Sequence, residues 1–267
     1  FLIGTNVYIA LIATFIALSG FFTFNTPGIW INTAFVFFAT QSAYNLQRYF
    51  KWRNHHLHAF LEPIVPATKK NWYSLIGISA AGMIGTGLFL YVEQFILLGF
   101  TGIVTSLYVF AHPTKKTLTG LRYIPFLKTI LVAFCWTGIF FTLTYTTRHF
   151  FMLKAAWPYW LIVFLQVWQA CVLFDLRDLE SDKGHLRTFA NTLTRDGMFG
   201  FWALFFIAIA GLSAYYGQIL FVIPIYVVIA VIHMVCIYRK TSGLNFTFLV
   251  DGSLVLYAFG NWILFNH

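Results

Sequence analysis

Acidic side chains are the scarcest charged groups in this chain, and charge of either sign is rare. Only 8 of 267 residues are Asp or Glu, against 17 Lys and Arg, and charged residues make up 9% of the sequence. Hydrophobic residues make up 60%, and the mean hydropathy is +0.76. A water-soluble domain of this length needs more polar surface than this to cover its core. The composition therefore excludes a soluble globular protein and predicts a polytopic membrane protein.

Cysteine is also scarce, and the positions of the three cysteines exclude a disulfide framework. Cys135, Cys171 and Cys236 all lie inside apolar runs, so we expect neither a disulfide nor a cysteine metal pair. No soluble basic domain is present to dock a nucleic acid, so we assign the net charge of +9 to loops at the membrane surface. The chain begins with Phe1 rather than Met, so we expect a few preceding residues, and we expect no cleavable signal peptide.

Nine apolar runs are long enough to cross a bilayer as helices. They predict an all-α membrane protein, a single domain of nine transmembrane helices that covers residues 1–267. Aromatic residues make up 21% of the chain, which is typical of lipid-facing helices with interfacial aromatic belts. The runs are 2–22, 29–49, 72–92, 94–111, 126–146, 156–175, 199–216, 218–238 and 246–265.

Basic residues favour one side of the predicted bundle. Of the 17 Lys and Arg, 15 lie in or next to the long links 50–71, 112–125, 176–198 and 239–245. The positive-inside rule therefore predicts that the long links and the N-terminus lie in the cytoplasm and the C-terminus outside. We expect an integral multi-pass protein of a bacterial inner membrane.

Four of the eight acidic residues fall within eight positions at the end of the sixth run. At about 100° per helical residue, Asp175, Asp178 and Asp182 lie within roughly 60° of one another, whereas Glu180 points away. Aligned carboxylates repel one another unless a cation lies among them, and hard oxygen ligands suit Mg²⁺. The pattern predicts a magnesium site; the alternative is a solvated helix end with mixed charges.

This stretch also carries a family resemblance. D-L-R-D-L-E-S-D-K, followed by H-L-R-T, resembles the second aspartate-rich motif of the UbiA superfamily of intramembrane prenyltransferases. Ser181 replaces the usual glycine, and Arg187 with Thr188 fills the basic-Thr position. The resemblance covers about 20 residues and the layout of nine helices with long cytoplasmic links. It implies a UbiA-like bundle that binds an isoprenoid diphosphate with Mg²⁺ and a hydrophobic acceptor in the membrane.

The end of the second predicted helix departs from the superfamily's first motif, N-x-x-x-D-x-x-x-D. One register gives Gln41, Asn45 and Tyr49, and the other gives Ala43, Gln47 and Lys51. Neither register supplies a carboxylate, and no acid precedes Glu62. Amides bind Mg²⁺ far more weakly than carboxylates, so one of two expected metal sites is absent or weakened. Arg48 and Lys51, on the same turn, are candidates to replace its charge.

The resemblance implies a role for each of several residues. The expected metal ligands are Asp175, Asp178 and Asp182. The expected catalytic residues are Asp178, Asp182, Arg48 and Lys128. The expected substrate-binding residues are Gln41, Asn45, Arg122, Lys183 and Arg187.

Two further clusters allow more than one interpretation. His55, His58 and Glu62 could form a metal site, although polar decoration of an interfacial loop is the interpretation we prefer. Asp251 lies inside the ninth apolar run, where a carboxylate marks a functional site by default. A neighbouring cation such as Arg239 would instead make it a structural ion pair.

The sequence therefore supports two main functions. The first is an enzyme that transfers a prenyl group from a diphosphate to an acceptor. The acceptor could be an aromatic acid, a quinone precursor, a porphyrin-type ring or a lipid. Cyclisation of the prenyl chain itself is a variant of this function. The second is an inactive UbiA-like subunit that binds lipid or quinone, or packs in a larger membrane complex. A transporter is a weaker third interpretation, because both polar clusters lie at the cytoplasmic end rather than at the midplane.

Overall fold

Nine long helices form the part of the protein that the structure describes. The computed structural model describes residues 3–53, 61–66, 68–109, 113–114, 117–118, 124, 126–144, 153–179, 188–215, 219–239 and 243–266. The all-α prediction is confirmed. The long helices are α1 (Val7–Thr23), α2 (Ile29–Arg53), α3 (Lys69–Gly87), α4 (Val92–Val109), α5 (Leu127–Thr144), α6 (Leu153–Arg177), α7 (Arg195–Tyr215), α8 (Ile219–Tyr238) and α9 (Gly243–Asn266).

The remaining regular structure is short. A 3₁₀ turn covers Glu62–Ile64, and a single helical turn covers Phe189–Thr192. The two-residue strands β1 (Pro113–Thr114) and β2 (Thr117–Leu118) form one antiparallel pair. None of these elements is large enough to alter the helical character of the domain.

The helices expose apolar side chains on their outer faces, as expected for contact with lipid. Ile84, Ile96 and Ile103 on α3 and α4 are each more than 60% exposed. Within the described residues, α5, α7, α9 and most of α6 are long and apolar enough to cross a membrane. The protein is an integral multi-pass membrane protein, and the number of nine crossings stays a prediction.

Five helices enclose the centre of the bundle. The helix α1 packs against α2 and α9, α2 touches α5, and α6 packs against both α5 and α9. The first and last helices meet through Tyr8, whose hydroxyl donates to the Phe248 carbonyl oxygen at 2.9 Å while the two rings stack. The other four long helices lie outside this ring, with α3 against α2 and α4 against α5. The ring thus has a closed perimeter around a central space.

Polar side chains fix α6 against α9. Gln166 and Asn261 exchange two hydrogen bonds of 3.0 and 2.8 Å through their side-chain amides. One helical turn away, the Tyr257 hydroxyl donates to Gln169 Oε1 at 2.6 Å. Because these amides are buried, each bond satisfies groups that lipid could not. The two glutamines of the sixth apolar run therefore set the register of α6 and α9.

Candidate functional site

A cavity of about 280 Å³ lies within the helical ring. Its polar side chains lie where α2 and α6 end and where α5 and α9 begin. Four of these side chains are cations: Arg48, Lys51, Lys128 and Arg177. The arrangement follows from chain direction, because α2 and α6 run towards this end while α5 and α9 run away from it. The polar ends of α2 and α6, where the two motifs lie, both line the cavity.

The other end of the cavity is apolar and aromatic. Val132, Trp136 and Phe140 follow Lys128 along α5, and all four residues line the space. Lys128 and Phe140 are twelve residues apart, about 18 Å along a helix at 1.5 Å per residue. A ligand that fits this shape has a charged head and a long apolar body.

Main-chain carbonyl groups hold the side chain of Arg48, near the end of α2. Arg48 Nη1 donates to the carbonyl oxygen of Ile3 and to that of Gly4, the latter at 3.0 Å. A carbonyl oxygen carries no net charge, so these bonds orient the guanidinium group without neutralising it. Arg48 is therefore a fixed cation at the polar end of the cavity.

On α2, side chains of the second register of the motif face the cavity. Gln47 and Lys51 line the space, whereas Gln41 and Asn45 are buried and lie outside its lining. Asn45 Oδ1 accepts a hydrogen bond from Asn6 Nδ2 at 2.8 Å, which ties α2 to the start of α1. The substrate contact predicted for Gln41 and Asn45 stays a prediction, and the structure adds Gln47 as a candidate beside Lys51.

Asp178 lines the cavity at the end of α6. Its two carboxylate oxygens accept bonds from Arg177 Nε at 2.7 Å and Nη2 at 3.2 Å. Arg177 Nη1 also donates to Thr247 Oγ1 at 2.8 Å, which connects α6 to α9. The Asp178 carboxylate is accessible from the cavity, and its oxygens fit a role as ligands of Mg²⁺.

Asp175 has a different environment from Asp178. It is 1% exposed, and its Oδ1 lies 3.1 Å from Lys128 Nζ. Lys128 lines the cavity, but Asp175 is outside the lining. This ion pair fits a role in holding α5 and α6 together better than the predicted metal role. Among the described residues, no group of three or more His, Cys, Asp and Glu side chains converges as a metal site.

Several predicted residues have no described position. Glu180 and the three histidines of the 51–71 loop lie outside the described residues, so the proposed histidine metal pair stays untested. The same holds for four predicted site residues: Arg122, Asp182, Lys183 and Arg187.

The structure adds cavity residues that the sequence did not single out. Asn6 and Tyr44 line the cavity, and Trp136 Nε1 donates to the Tyr44 hydroxyl at 3.3 Å. Thr247 also lines it, four residues before Asp251 on α9. Residues four apart share a helix face, so this spacing was a readable signal. Asn6 offered no such signal, because it precedes the first helix.

Comparison with known proteins supports the fold. No family model matches the chain, and no curated protein matches it by sequence. The apo structure of a UbiA homologue from Aeropyrum pernix K1 aligns with a TM-score of 0.69 at 12% identity, covering 95% of this chain and 97% of that one. A structure of digeranylgeranylglyceryl phosphate synthase aligns with a TM-score of 0.51 at 15% identity, covering 98% and 94%. The protein has the UbiA-like fold, and the resemblance is confirmed at that level.

Proposed function

We propose that this protein is an intramembrane prenyltransferase that acts on an isoprenoid diphosphate. One observation carries the proposal: a single cavity joins four cationic side chains to an apolar, aromatic chamber. An isoprenoid diphosphate has this same division between a charged head and an apolar chain. A structural neighbour named as a synthase of digeranylgeranylglyceryl phosphate supports the isoprenoid class of substrate.

The cationic side chains bind the diphosphate in this proposal. Arg48 is held by uncharged carbonyls, and Lys128 reaches the cavity from α5. Both can donate charge-assisted hydrogen bonds to phosphate oxygens. As the bond between the prenyl carbon and oxygen breaks, negative charge grows on the leaving diphosphate. Fixed cations stabilise that charge most where water is excluded.

Magnesium is part of the proposal on the strength of the second motif. Asp178, with Asp182 from beyond the described residues, would hold Mg²⁺, which would neutralise diphosphate oxygens. Arg177 now binds the Asp178 carboxylate. A metal ligand role for Asp178 therefore requires that this guanidinium group turn towards the phosphate.

The aromatic wall protects the reacting prenyl carbon. Tyr44, Trp136 and Phe140 line the cavity beyond the cations. The faces of aromatic rings attract positive charge, so they stabilise an allylic carbocation without reacting with it. The surrounding apolar side chains keep water from capturing it.

The orientation completes the proposal. The polar end of the cavity lies at the side of the long, basic links, so we place it at the cytoplasmic face of a bacterial inner membrane. The prenyl chain then lies in the apolar half of the cavity, within the bilayer. The acceptor comes from the membrane, and association with a larger membrane complex is compatible with this placement.

The competing function is an inactive UbiA-like subunit that binds a lipid or quinone. Its basis is the absence of a carboxylate at the end of α2. Asp178 argues against it, because a scaffold has no need for a carboxylate lining a cationic cavity.

Purified protein in nanodiscs tests the proposal. We expect Mg²⁺-dependent release of diphosphate from at least one member of a series of prenyl diphosphates of increasing chain length. Release should fall in Arg48→Ala and persist in Arg239→Ala, which removes an exposed arginine outside the cavity lining. No release at any chain length, together with stable co-purification with a membrane complex, would favour the inactive subunit.

A further inference from the structure

Asp251 is a buried carboxylate that the diphosphate site does not explain. It lies in α9, lines the cavity and is 3% exposed. Its Oδ1 atom is buried and has no hydrogen-bond partner among the described residues. A carboxylate oxygen buried without a donor is costly, and such groups in membrane proteins mark functional sites. The cavity therefore contains a hydrogen-bond acceptor that lacks a donor.

Two cations act on Asp251 through their charge, but their described hydrogen bonds go elsewhere. Arg48 and Arg177 both interact with it electrostatically. However, Arg48 donates to the Ile3 and Gly4 carbonyls, and Arg177 donates to Asp178 and Thr247. Arg239, suggested by the sequence as a partner, is exposed.

The titratable groups that face Asp251 from α1 and α6 do not donate a hydrogen bond to it either. Tyr8 on α1 interacts electrostatically with Asp251, yet its hydroxyl donates to the Phe248 carbonyl. Among the described residues, Cys171 on α6 also interacts electrostatically with Asp251, and a thiol is a weak donor. None of these side chains supplies a donor to Oδ1.

The chemistry of a carboxylate limits what can bind there. A phosphate is excluded because both groups are acceptors and both are negative. A divalent cation is disfavoured because Arg48 and Arg177 already interact electrostatically with Asp251 and would repel it. A neutral ligand with an O–H group satisfies the oxygen without adding charge.

The position of Asp251 matches that of a second substrate. It lies four residues beyond Thr247, about 6 Å further along α9 at 1.5 Å per residue. Thr247 binds Arg177 at the polar end, and Leu254 follows Asp251 along the same cavity wall. Asp251 thus lies at the junction of the cationic end and the apolar chamber, where the reacting carbon of a bound prenyl diphosphate is expected.

We infer that Asp251 binds the hydroxyl group of the acceptor, and that the acceptor is a membrane-soluble alcohol or phenol. The identification of the ligand as the acceptor rests on the proposed function. The binding of a hydroxyl group at Asp251 does not depend on that function. A hydroxyl site at Asp251 narrows the acceptors left open by the sequence to those with a hydroxyl group at the end of an apolar body.

Photolabelling tests the hydroxyl site directly. The probe is hexadecanol with a diazirine near the hydroxyl, and the matched probe has a methyl group in place of the hydroxyl. In nanodiscs, we expect the wild type to be labelled at least tenfold more by the alcohol than by the methyl probe, at residues around Leu254 and Cys171. Unlabelled hexadecanol should compete, and hexadecane should not.

Three variants sharpen this test. Asp251→Leu should lose the preference for the alcohol at least tenfold, and Asp251→Asn should keep most of it because an amide oxygen still accepts. Ser213→Ala, a buried hydroxyl outside the cavity lining, should match the wild type. Thermal unfolding of each variant excludes misfolding as the cause. Equal labelling by the two probes in the wild type, or an unchanged preference in Asp251→Leu, would overturn the inference.

The two experiments distinguish a failure of the proposed function from a failure of the hydroxyl site. Absence of diphosphate release from the wild type would overturn the prenyltransferase, while Asp251-dependent labelling would still establish an alcohol site. Diphosphate release without Asp251-dependent labelling would support the enzyme and overturn the hydroxyl site.

Discussion

The ends of α2 and α6 reach the same cavity with opposite chemistry. The end of α2 contributes Arg48 and Lys51, with no acid, whereas the end of α6 contributes Asp178 together with Arg177. Their supports differ as well. Main-chain carbonyls hold Arg48, so its charge is not neutralised by the bonds that orient it. Asp178 is held by a cation that neutralises it. In the proposed function, the ends of α2 and α6 would therefore have different roles in binding one diphosphate.

This asymmetry leaves the cavity positive. Among the described residues, the lining contains four Lys and Arg side chains against two carboxylates, Asp178 and Asp251. Asp175 pairs with Lys128 from outside the lining, so a formal excess of one positive charge remains. The superfamily pattern would place further carboxylates at the end of α2 and would reduce that excess. In the proposed function, side-chain cations at α2 would replace charge that a second metal ion would otherwise supply.

The largest expected loss of activity comes from removing the Asp178 carboxylate at the end of α6. Asp178→Ala should reduce Mg²⁺-dependent diphosphate release by roughly a hundredfold or more, because loss of a metal ligand removes several kcal/mol of transition-state stabilisation. Binding of Mg²⁺, followed by calorimetry, should weaken in parallel. Glu180→Ala is the matched control, and helical spacing predicts that it is mild. Equal losses in both variants would argue against a single ligand-bearing face.

A somewhat smaller loss of activity is expected from removing the Arg48 cation near the end of α2. Arg48→Ala should reduce diphosphate release by about ten- to a hundredfold, since it removes a fixed cation but leaves Lys51 and Lys128 in the cavity. Arg48→Lys should recover only part of the rate, because a single ammonium group cannot reproduce the guanidinium geometry. Full activity in Arg48→Ala would show that α2 does not substitute for a metal site.

The ion pair between Lys128 and Asp175 separates stability from activity. Asp175→Leu alone should lower the free energy of unfolding by about 3–5 kcal/mol, because it removes the buried carboxylate that pairs with the partly buried Lys128. Lys128→Met with Asp175→Leu should recover much of that stability, measured by denaturant unfolding, but not diphosphate release. Recovery of both would place Lys128 outside the active site.

The smallest expected effect concerns the buried register of α2. Asn45→Ala removes the acceptor of the Asn6 side chain and should lower the free energy of unfolding by about 1–2 kcal/mol. Diphosphate release should stay within threefold of the wild type, because Asn45 lies outside the cavity lining. A loss of release at unchanged stability would instead support the substrate contact predicted for Asn45 from the motif.

The helices were largely predictable because each is a long apolar run, but their ends were not. The run 72–92 corresponds to α3, which begins at Lys69 after Thr68, whose hydroxyl accepts from the Asn71 amide. The run 199–216 corresponds to α7, which begins at Arg195. Hydropathy marks the membrane-buried part of a helix, whereas capping groups and polar first turns set where the helix starts.

The candidate site was predictable only in part. Asp178, Arg48 and Lys128 all reach the cavity, since charged residues at the ends of inner helices have few other places to lie. The rotation of α2 was not predictable, because the packing of its neighbours decides which of its two polar faces turns inward. The pairing of Asp175 with Lys128 depends likewise on how α5 lies against α6, and a pattern within one helix does not contain that information.

The contact between the first and last helices has a consequence for how the protein is made. Tyr8 and Phe248 are 240 positions apart in the chain, and a ribosome adding about 5–20 residues per second needs about 12–48 s to cover that distance. During that time α1 is already available for insertion, and the wall that α9 will form does not yet exist. The cavity, with its cations and carboxylates, is therefore completed only after α9 has been synthesised. Until then the early helices must be shielded by lipid or by the insertion machinery.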